Sequence, residues 1–251
     1  MKRLWFLKTL LYGLSLSFLF SSCNSGSTNS ADETTTDTTH ADTSATMAAS
    51  TTAPPATSVS PAYVLIIKHK VANYDKWKTS YDSHDSVRVA SGLHNYVVGR
   101  GMDDPNMVVV ILEMDDVSKA KALTSSQEMM DRMKKAGVIG KSEISFVKVV
   151  MNDTTKIDQK GRLMMSHKVK DFDAWKKVFD SDNQARMDAG LVARGLGYNV
   201  DDDHMVSIVL AVNDRKKADE FSKSKTLKDK MMEGGVEGPP TIFYYNIVQK
   251  Y

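Results

Sequence analysis

The chain has 251 residues, a net charge of +2, 15 methionines and a single cysteine. One cysteine excludes an intrachain disulfide and any multi-cysteine metal or redox centre. A charge this close to neutral gives no electrostatic reason to expect nucleic acid as a partner, and no phosphate loop, nucleophile elbow, paired-carboxylate motif or zinc spacing is present.

The N-terminus reads MKRLWFLKTLLYGLSLSFLFSSC. Lys2, Arg3 and Lys8 precede an apolar run from Leu10 to Phe20 and then small residues, the layout of a secretory signal too short to span a bilayer comfortably. Cys23 follows Ser21 and Ser22 directly. This stretch resembles the lipobox of bacterial lipoproteins, although Phe20 departs from the aliphatic residue usual three places before the cysteine. The resemblance implies cleavage of residues 1–22 and lipidation of Cys23. The sole cysteine would then be a thioether, held in the bilayer by acyl chains worth about 0.8 kcal/mol per buried methylene. Asn24 in second place implies the outer membrane, so the expected address is the cell envelope, facing periplasm or cell surface. The alternative is an ordinary signal peptide with an incidental cysteine. Loss of residues 1–22 removes three positive charges and no negative ones, turning +2 into −1.

Residues 23–60 are dominated by Thr, Ser and Ala, with no aromatic residue. Such a segment cannot bury enough apolar area to offset its ordering entropy and is predicted to be a disordered tether with an average reach of roughly 35 Å.

From here the sequence repeats itself. HKVANYDKWKTSYDSH begins at His69, and HKVKDFDAWKKVFDSD at His167, 98 residues later. The offset holds through Asp75 and Asp173, Arg88 and Arg186, Gly92 and Gly190, Gly99 and Gly197, and Met107 and Met205. Turn and core residues recur alike, so a whole fold unit is duplicated. The units are assigned to residues 61–151 and 162–251, with residues 152–161 as linker.

Each unit opens with a strand (YVLIIKHKV, RLMMSHKV). A helix follows, capped at Asn73 or Asp171 and ended by Gly92 or Gly190 in a left-handed conformation. Trp77, Tyr81, His84 and Arg88 share a face of that helix, as do Trp175, Phe179, Asp182 and Arg186. A second strand, an Asp-Asp turn, a third strand (MVVVILEM, MVSIVLAV), a second helix and a last strand complete the order βαββαβ, a ferredoxin-like unit. Val108, Val110, Leu112 and Met114 form one apolar face of the third strand, and Val109 and Ile111 make the other face apolar too, up to Glu113. A sheet with one wet face would alternate; two sheets facing one another explain the pattern.

The motif HKV..(Y/F)D.WK...D, the stretch DDPNMVVVILEMDD, and KAGVIGKSEI or EGGVEGPPTI before the last strand together resemble the dimeric α/β-barrel superfamily. The resemblance is to its antibiotic biosynthesis monooxygenase-like and cyclase-like members and covers nearly all of residues 61–251. It implies an α+β fold in which two tandem ferredoxin-like units form a single-chain, pseudo-dimeric barrel, monomeric as a consequence. That superfamily spans cofactor-free oxygenases, haem-degrading enzymes, isomerases, peroxidases, sensors and proteins without known activity, so the fold alone does not fix the function.

His69 and His167 lie on strand faces with Leu65, Ile67 and Val71, and with Leu163, Met165 and Val169. Each is either a base or ligand contact in a pocket beside the sheet, or a core histidine hydrogen-bonded to backbone or Asp. Trp77, Trp175, Tyr81 and Phe179 read as anchors of the first helix. Resemblance to haem-degrading relatives would require an Asn–Trp–His arrangement, which does not map onto matched positions, so no cofactor is expected, with haem kept as the minor alternative. Arg88 and Arg186 can pair with Asp85 and Asp182 or bind an anionic ligand. Positions where the copies differ include His84 against Asp182, Tyr96 against Arg194, and Glu113 against Ala211. Glu113 could act as an acid or base if buried. Met129, Met130, Met133, Met231 and Met232 could line an adaptable apolar pocket, and no His/Met spacing indicates a metal. The expected function is binding of a small apolar or aromatic molecule by a protein anchored in the bilayer through Cys23. The alternatives are a cofactor-free monooxygenase- or cyclase-type enzyme with one active repeat, and a protein-interaction module.

Overall fold

A computed structural model describes residues 60–251. The expected signal, Cys23 and the tether up to residue 59, with His40 and Met47, lie outside the described residues. The first repeat comprises β1 (Tyr63–Val71), α1 (Tyr74–Ser83), α2 (Asp85–Ala90), β2 (Leu93–Gly101), β3 (Met107–Met114), α3 (Val117–Ser125), α4 (Gln127–Lys135) and β4 (Val138–Asn152). The second comprises β5 (Gly161–Val169), α5 (Phe172–Ser181), α6 (Asn183–Asp188), β6 (Leu191–Asn199), β7 (Asp202–Val212), α7 (Arg215–Ser222), α8 (Lys225–Glu233) and β8 (Val236–Lys250). Residues 153–160 connect the two without helix or strand.

The first helix of each unit starts where its cap predicts. The Asn73 side chain accepts from Lys76 N at 2.9 Å, and Asp171 from Ala174 N at 2.7 Å. Gly92 and Gly190 end the helical segments at φ +69° and +72°. The single helix read between them is, however, two helices broken at His84 and at Asp182. The Ser/Asp-rich runs at these points compete locally for the backbone. An arginine takes up a carbonyl at each break: Arg88 Nη1 donates to Tyr81 O at 2.7 Å, and Arg186 Nη1 to Phe179 O at 2.6 Å. The second helix is likewise two, because Ser126 and Ser224 cap new N-termini by accepting from Met129 N and Leu227 N, both at 3.1 Å.

Within each repeat the antiparallel order is β4-β1-β3-β2 or β8-β5-β7-β6, the ferredoxin-like arrangement. The two sheets do not merely face one another. Pairing of β2 with β8 and of β4 with β6 joins them into one closed eight-stranded barrel, which leaves no free edge. The 15-residue β4 and β8 make this possible, since each pairs with its own sheet at its start and with the other repeat near its end. The third strand is buried on both faces for this reason. Val108, Val110 and Leu112 pack with Trp77 beneath the helices, while Val109 and Ile111 pack inside the barrel with Tyr245.

The seams require glycine. A Cβ at Gly99 would lie 2.3 Å from Cδ2 of Tyr245, and one at Gly197 would lie 2.3 Å from the Lys148 carbonyl oxygen. Gly99→Ala is therefore expected to destabilise the protein by about 1–3 kcal/mol through overpacking. Gly195→Ala, whose Cβ would meet Val209 at an ordinary 3.6 Å, is expected to change stability by less than about 0.5 kcal/mol. Urea denaturation of the two variants measures the difference.

Candidate functional site

Between the sheet and the helices of each repeat lies a pocket of about 90 Å³. In the first repeat, β1 contributes His69, α1 contributes Trp77 and Tyr81, α2 contributes Arg88, and α4 contributes Met129 and Met133. These side chains form a continuous stack. The His69 ring meets Trp77 edge-on at 5.5 Å, Trp77 stacks on Tyr81 at 5.1 Å, and the Arg88 guanidinium lies 3.8 Å from the centre of the Tyr81 ring. The second repeat copies it with His167, Trp175, Phe179 and Arg186 at 5.5, 5.1 and 3.7 Å. Only the first carries a hydroxyl in the stack, which Tyr81 donates to Asn95 Oδ1. Burial pushes that hydroxyl's pKa up.

His69 and His167 are each only 5% exposed, yet both ring nitrogens of each lack a hydrogen-bond partner. The backbone or Asp partner expected of a core histidine is absent from both. Burial holds their pKa near 4 instead of the ordinary 6.5, so the rings are neutral at pH 7. A neutral imidazole carries one donor and one acceptor, and here they border an apolar pocket.

The cover over the first pocket is loosely seated. No residue of α4 is buried; Met129 and Met133 are half-buried, and Met130 is 45% exposed. α8 likewise buries none of its residues above the His167 pocket. Short helices with so little buried area open at low free-energy cost.

The other sequence candidates separate. His84 lines the first pocket, but its Nδ1 donates to Ser80 O at 2.6 Å, which ties it to the end of α1. Arg88 pairs with Asp85 at 3.1 Å, as its spacing predicts. Arg186 does not bond Asp182; its Nη2 reaches Asn183 Oδ1 at 3.4 Å instead, because Asn183 occupies the position that Asp85 holds in the first repeat. Glu113 sits half-buried at the end of β3 opposite Val64 and His94, away from both pockets. Asp202, Asp203 and His204 bring three potential ligand atoms within 4.8 Å of one another at the start of β7, a grouping that the sequence reading passed over. It is largely exposed and of a kind common without an ion.

Sequence reasoning also missed Arg162 and Lys250, which with Arg194 line a larger cavity of about 260 Å³ inside the barrel. The available signal was the mismatch across the repeat, since the positions 98 residues earlier are Val64, Asn152 and Tyr96. The helix-covered pockets, at about 90 Å³, are smaller than the roughly 150 Å³ that admits benzene.

No family model and no curated protein matches the sequence. Solved structures do match it. A proposed monooxygenase from Fusobacterium nucleatum superposes with a TM-score of 0.50 at 11% identity, over 74% of this chain and 92% of its own. An anthrone oxidase-like protein does so with a TM-score of 0.52 at 10% identity, over 75% and 92%. Both matches span more than one repeat can supply, and they establish the dimeric α/β-barrel fold for the tandem chain.

The unpartnered histidines generate two expectations. His69→Leu removes two desolvated polar atoms and is expected to stabilise the protein by about 1 kcal/mol, measured by urea denaturation. Because the folded pKa of about 4 lies below 6.5, the unfolded chain binds the proton more tightly. The associated stability is complete above pH 6.5 and is lost as pH falls towards 4, on the order of 3 kcal/mol per histidine. In His69→Leu/His167→Leu, the fall in thermal midpoint over that range is expected to be much shallower.

Proposed function

We propose that this is a lipid-anchored envelope protein whose first repeat binds one small apolar or aromatic molecule beneath α4, beside His69, without turning it over. The observation that carries this reading is the pair of buried, unpartnered ring nitrogens facing an apolar pocket under a methionine-bearing cover. A ligand with a single hydroxyl or N–H would satisfy one of them, and methionines adapt to irregular shapes. The pocket of about 90 Å³ admits even one ring only if α4 moves outward. The half-buried residues of that helix allow such movement. The first repeat is favoured over the second because its wall adds the Tyr81 hydroxyl.

The names of the two solved neighbours motivate the enzymatic alternative, a cofactor-free oxygenase using the same pocket. Against it stands the histidine pKa near 4, far below the neutral range in which a general base works best. An interaction module with filled pockets is disfavoured by the cavities. Anchoring rests on the sequence features around Cys23; no helix among the described residues is long and apolar enough to cross a membrane. Closed sheet edges support a monomer, with the bilayer as the one macromolecular partner.

Calorimetric titration with 1-naphthol tests the pocket. Binding is expected to weaken about tenfold in His69→Leu through loss of one hydrogen bond, and the naphthol is expected to be recovered unchanged after aerobic incubation. Equal affinity in wild type and variant would refute the site, and oxidised product would favour the oxygenase. For the anchor, Cys23→Ser is expected to move the protein from the membrane to the soluble fraction on cell fractionation.

A further inference from the structure

The barrel lumen holds a cavity of about 260 Å³, against about 90 Å³ for each helix-covered pocket. All eight strands contribute to its wall. It lies on the axis that relates the two repeats, because both copies of the same position line it: Val64 and Arg162, Tyr96 and Arg194, Asn152 and Lys250. In each of these pairs the first repeat supplies a neutral residue and the second a cation. Val97, Ile111, Val149 and Leu196 extend the apolar part of the wall.

The charges do not balance. Arg162 and Arg194 are 3% and 7% exposed, and Lys250 stands at the exposed rim. Among the described residues of the wall Asp153 is the one carboxylate, and it is committed to Arg194 Nη1 at 2.6 Å. Arg162 donates its Nη1 hydrogens to the carbonyls of Gln159 and Gly161, both at 2.8 Å, and forms no ion pair with any described residue. Lys250 forms none either. Burial, followed by the Arg162 and Arg194 charges, pushes the pKa of Lys250 down, as burial does for Arg162. An unpaired buried charge is expensive and is normally matched by a counter-ion. The fold does not require this cluster, since the first repeat builds the same strands without it. Arg194 is aimed by a bulge in β6 between Ala193 and Gly195, and Tyr96 by the matching bulge between Asn95 and Val97. At the other end of the barrel the lining cation, Lys68, is neutralised by Glu143 at 2.8 Å, beside a cavity of only about 50 Å³.

We propose that the lumen is a second binding site, separate from the helix-covered pockets, for a small monocarboxylate. Its acid group meets Arg162 and Lys250, the two cations without a carboxylate partner, and its ring or short chain lies against the apolar half of the wall. A volume of about 260 Å³ suits roughly ten non-hydrogen atoms, by comparison with benzene in a cavity of roughly 150 Å³. Guanidinium groups pair with carboxylates in bidentate fashion, which favours this head group.

The test is calorimetric titration of the full chain in lipid nanodiscs, blanked against empty nanodiscs, with phenylacetate, the neutral 2-phenylethanol and inorganic phosphate. Phenylacetate is expected to bind one per chain, with the alcohol and phosphate each about tenfold weaker or more. Arg162→Met and Lys250→Met are each expected to weaken phenylacetate about tenfold, while His69→Leu leaves it unchanged. Arg162→Met is also expected to raise the thermal midpoint of the unliganded protein, because it removes an unpaired buried charge. Lys250 is exposed, so its replacement tests the site without endangering the fold. Absence of phenylacetate binding, equal affinity for acid and alcohol, equal affinity for phosphate, indifference to Lys250→Met, or loss on His69→Leu would each overturn the assignment.

Discussion

Everything in this molecule depends on the pairing of strands from different repeats at two seams, β2 with β8 and β4 with β6. A ferredoxin-like sheet alone covers one face with helices and leaves the other face and two edges open. Closure removes both liabilities at once. It also explains why β4 and β8 are 15 residues long, and why glycine occupies positions 99 and 197, where a Cβ would collide with the other half. Sterics at the seam thereby decide whether the third strands, apolar on both faces, have anything to bury against.

Closure creates two kinds of interior. Outside the barrel wall, each repeat has a helix-covered compartment with its own stack of histidine, tryptophan, aromatic ring and arginine. Inside the wall is a compartment that neither repeat could enclose by itself. The two kinds differ in electrostatics. The outer pockets hold neutral imidazoles in apolar surroundings, whereas the lumen carries excess positive charge. Retention of an unsatisfied histidine in both repeats argues that the ring belongs to the shared design of the unit, while differences such as Tyr81 against Phe179 set the copies apart.

Much of this architecture was legible in the residues. The 98-residue offset, the caps at Asn73 and Asp171, the glycines at 92 and 190 and the doubly apolar third strand led to the ferredoxin-like units and to an enclosed sheet. The helix breaks at His84 and Ser126 were not legible, because an amphipathic period continues across both and only the geometry of competing side-chain bonds ends a helix there. His69 was placed on the correct face, but whether its nitrogens find partners depends on neighbours distant in sequence. The lumen was hidden for a similar reason. Arg162 stands at the start of a strand, where a charged residue ordinarily signals solvent, and only barrel closure turns it inward.

Fusion of the repeats into one chain has a further consequence for the lumen. In a barrel made of two identical chains, the axis runs through the cavity, and any asymmetric guest meets the same surroundings after half a turn. It would occupy two indistinguishable poses, and a residue change on one side would be imposed on the other. Here Val64 and Arg162 stand where symmetry would demand identical residues. Joined in one chain, the two sides need not match, and the wall has an apolar side and a cationic side for a guest to meet. The entropy forgone by fixing a single pose is only about 0.4 kcal/mol, RT ln 2, less than one hydrogen bond contributes.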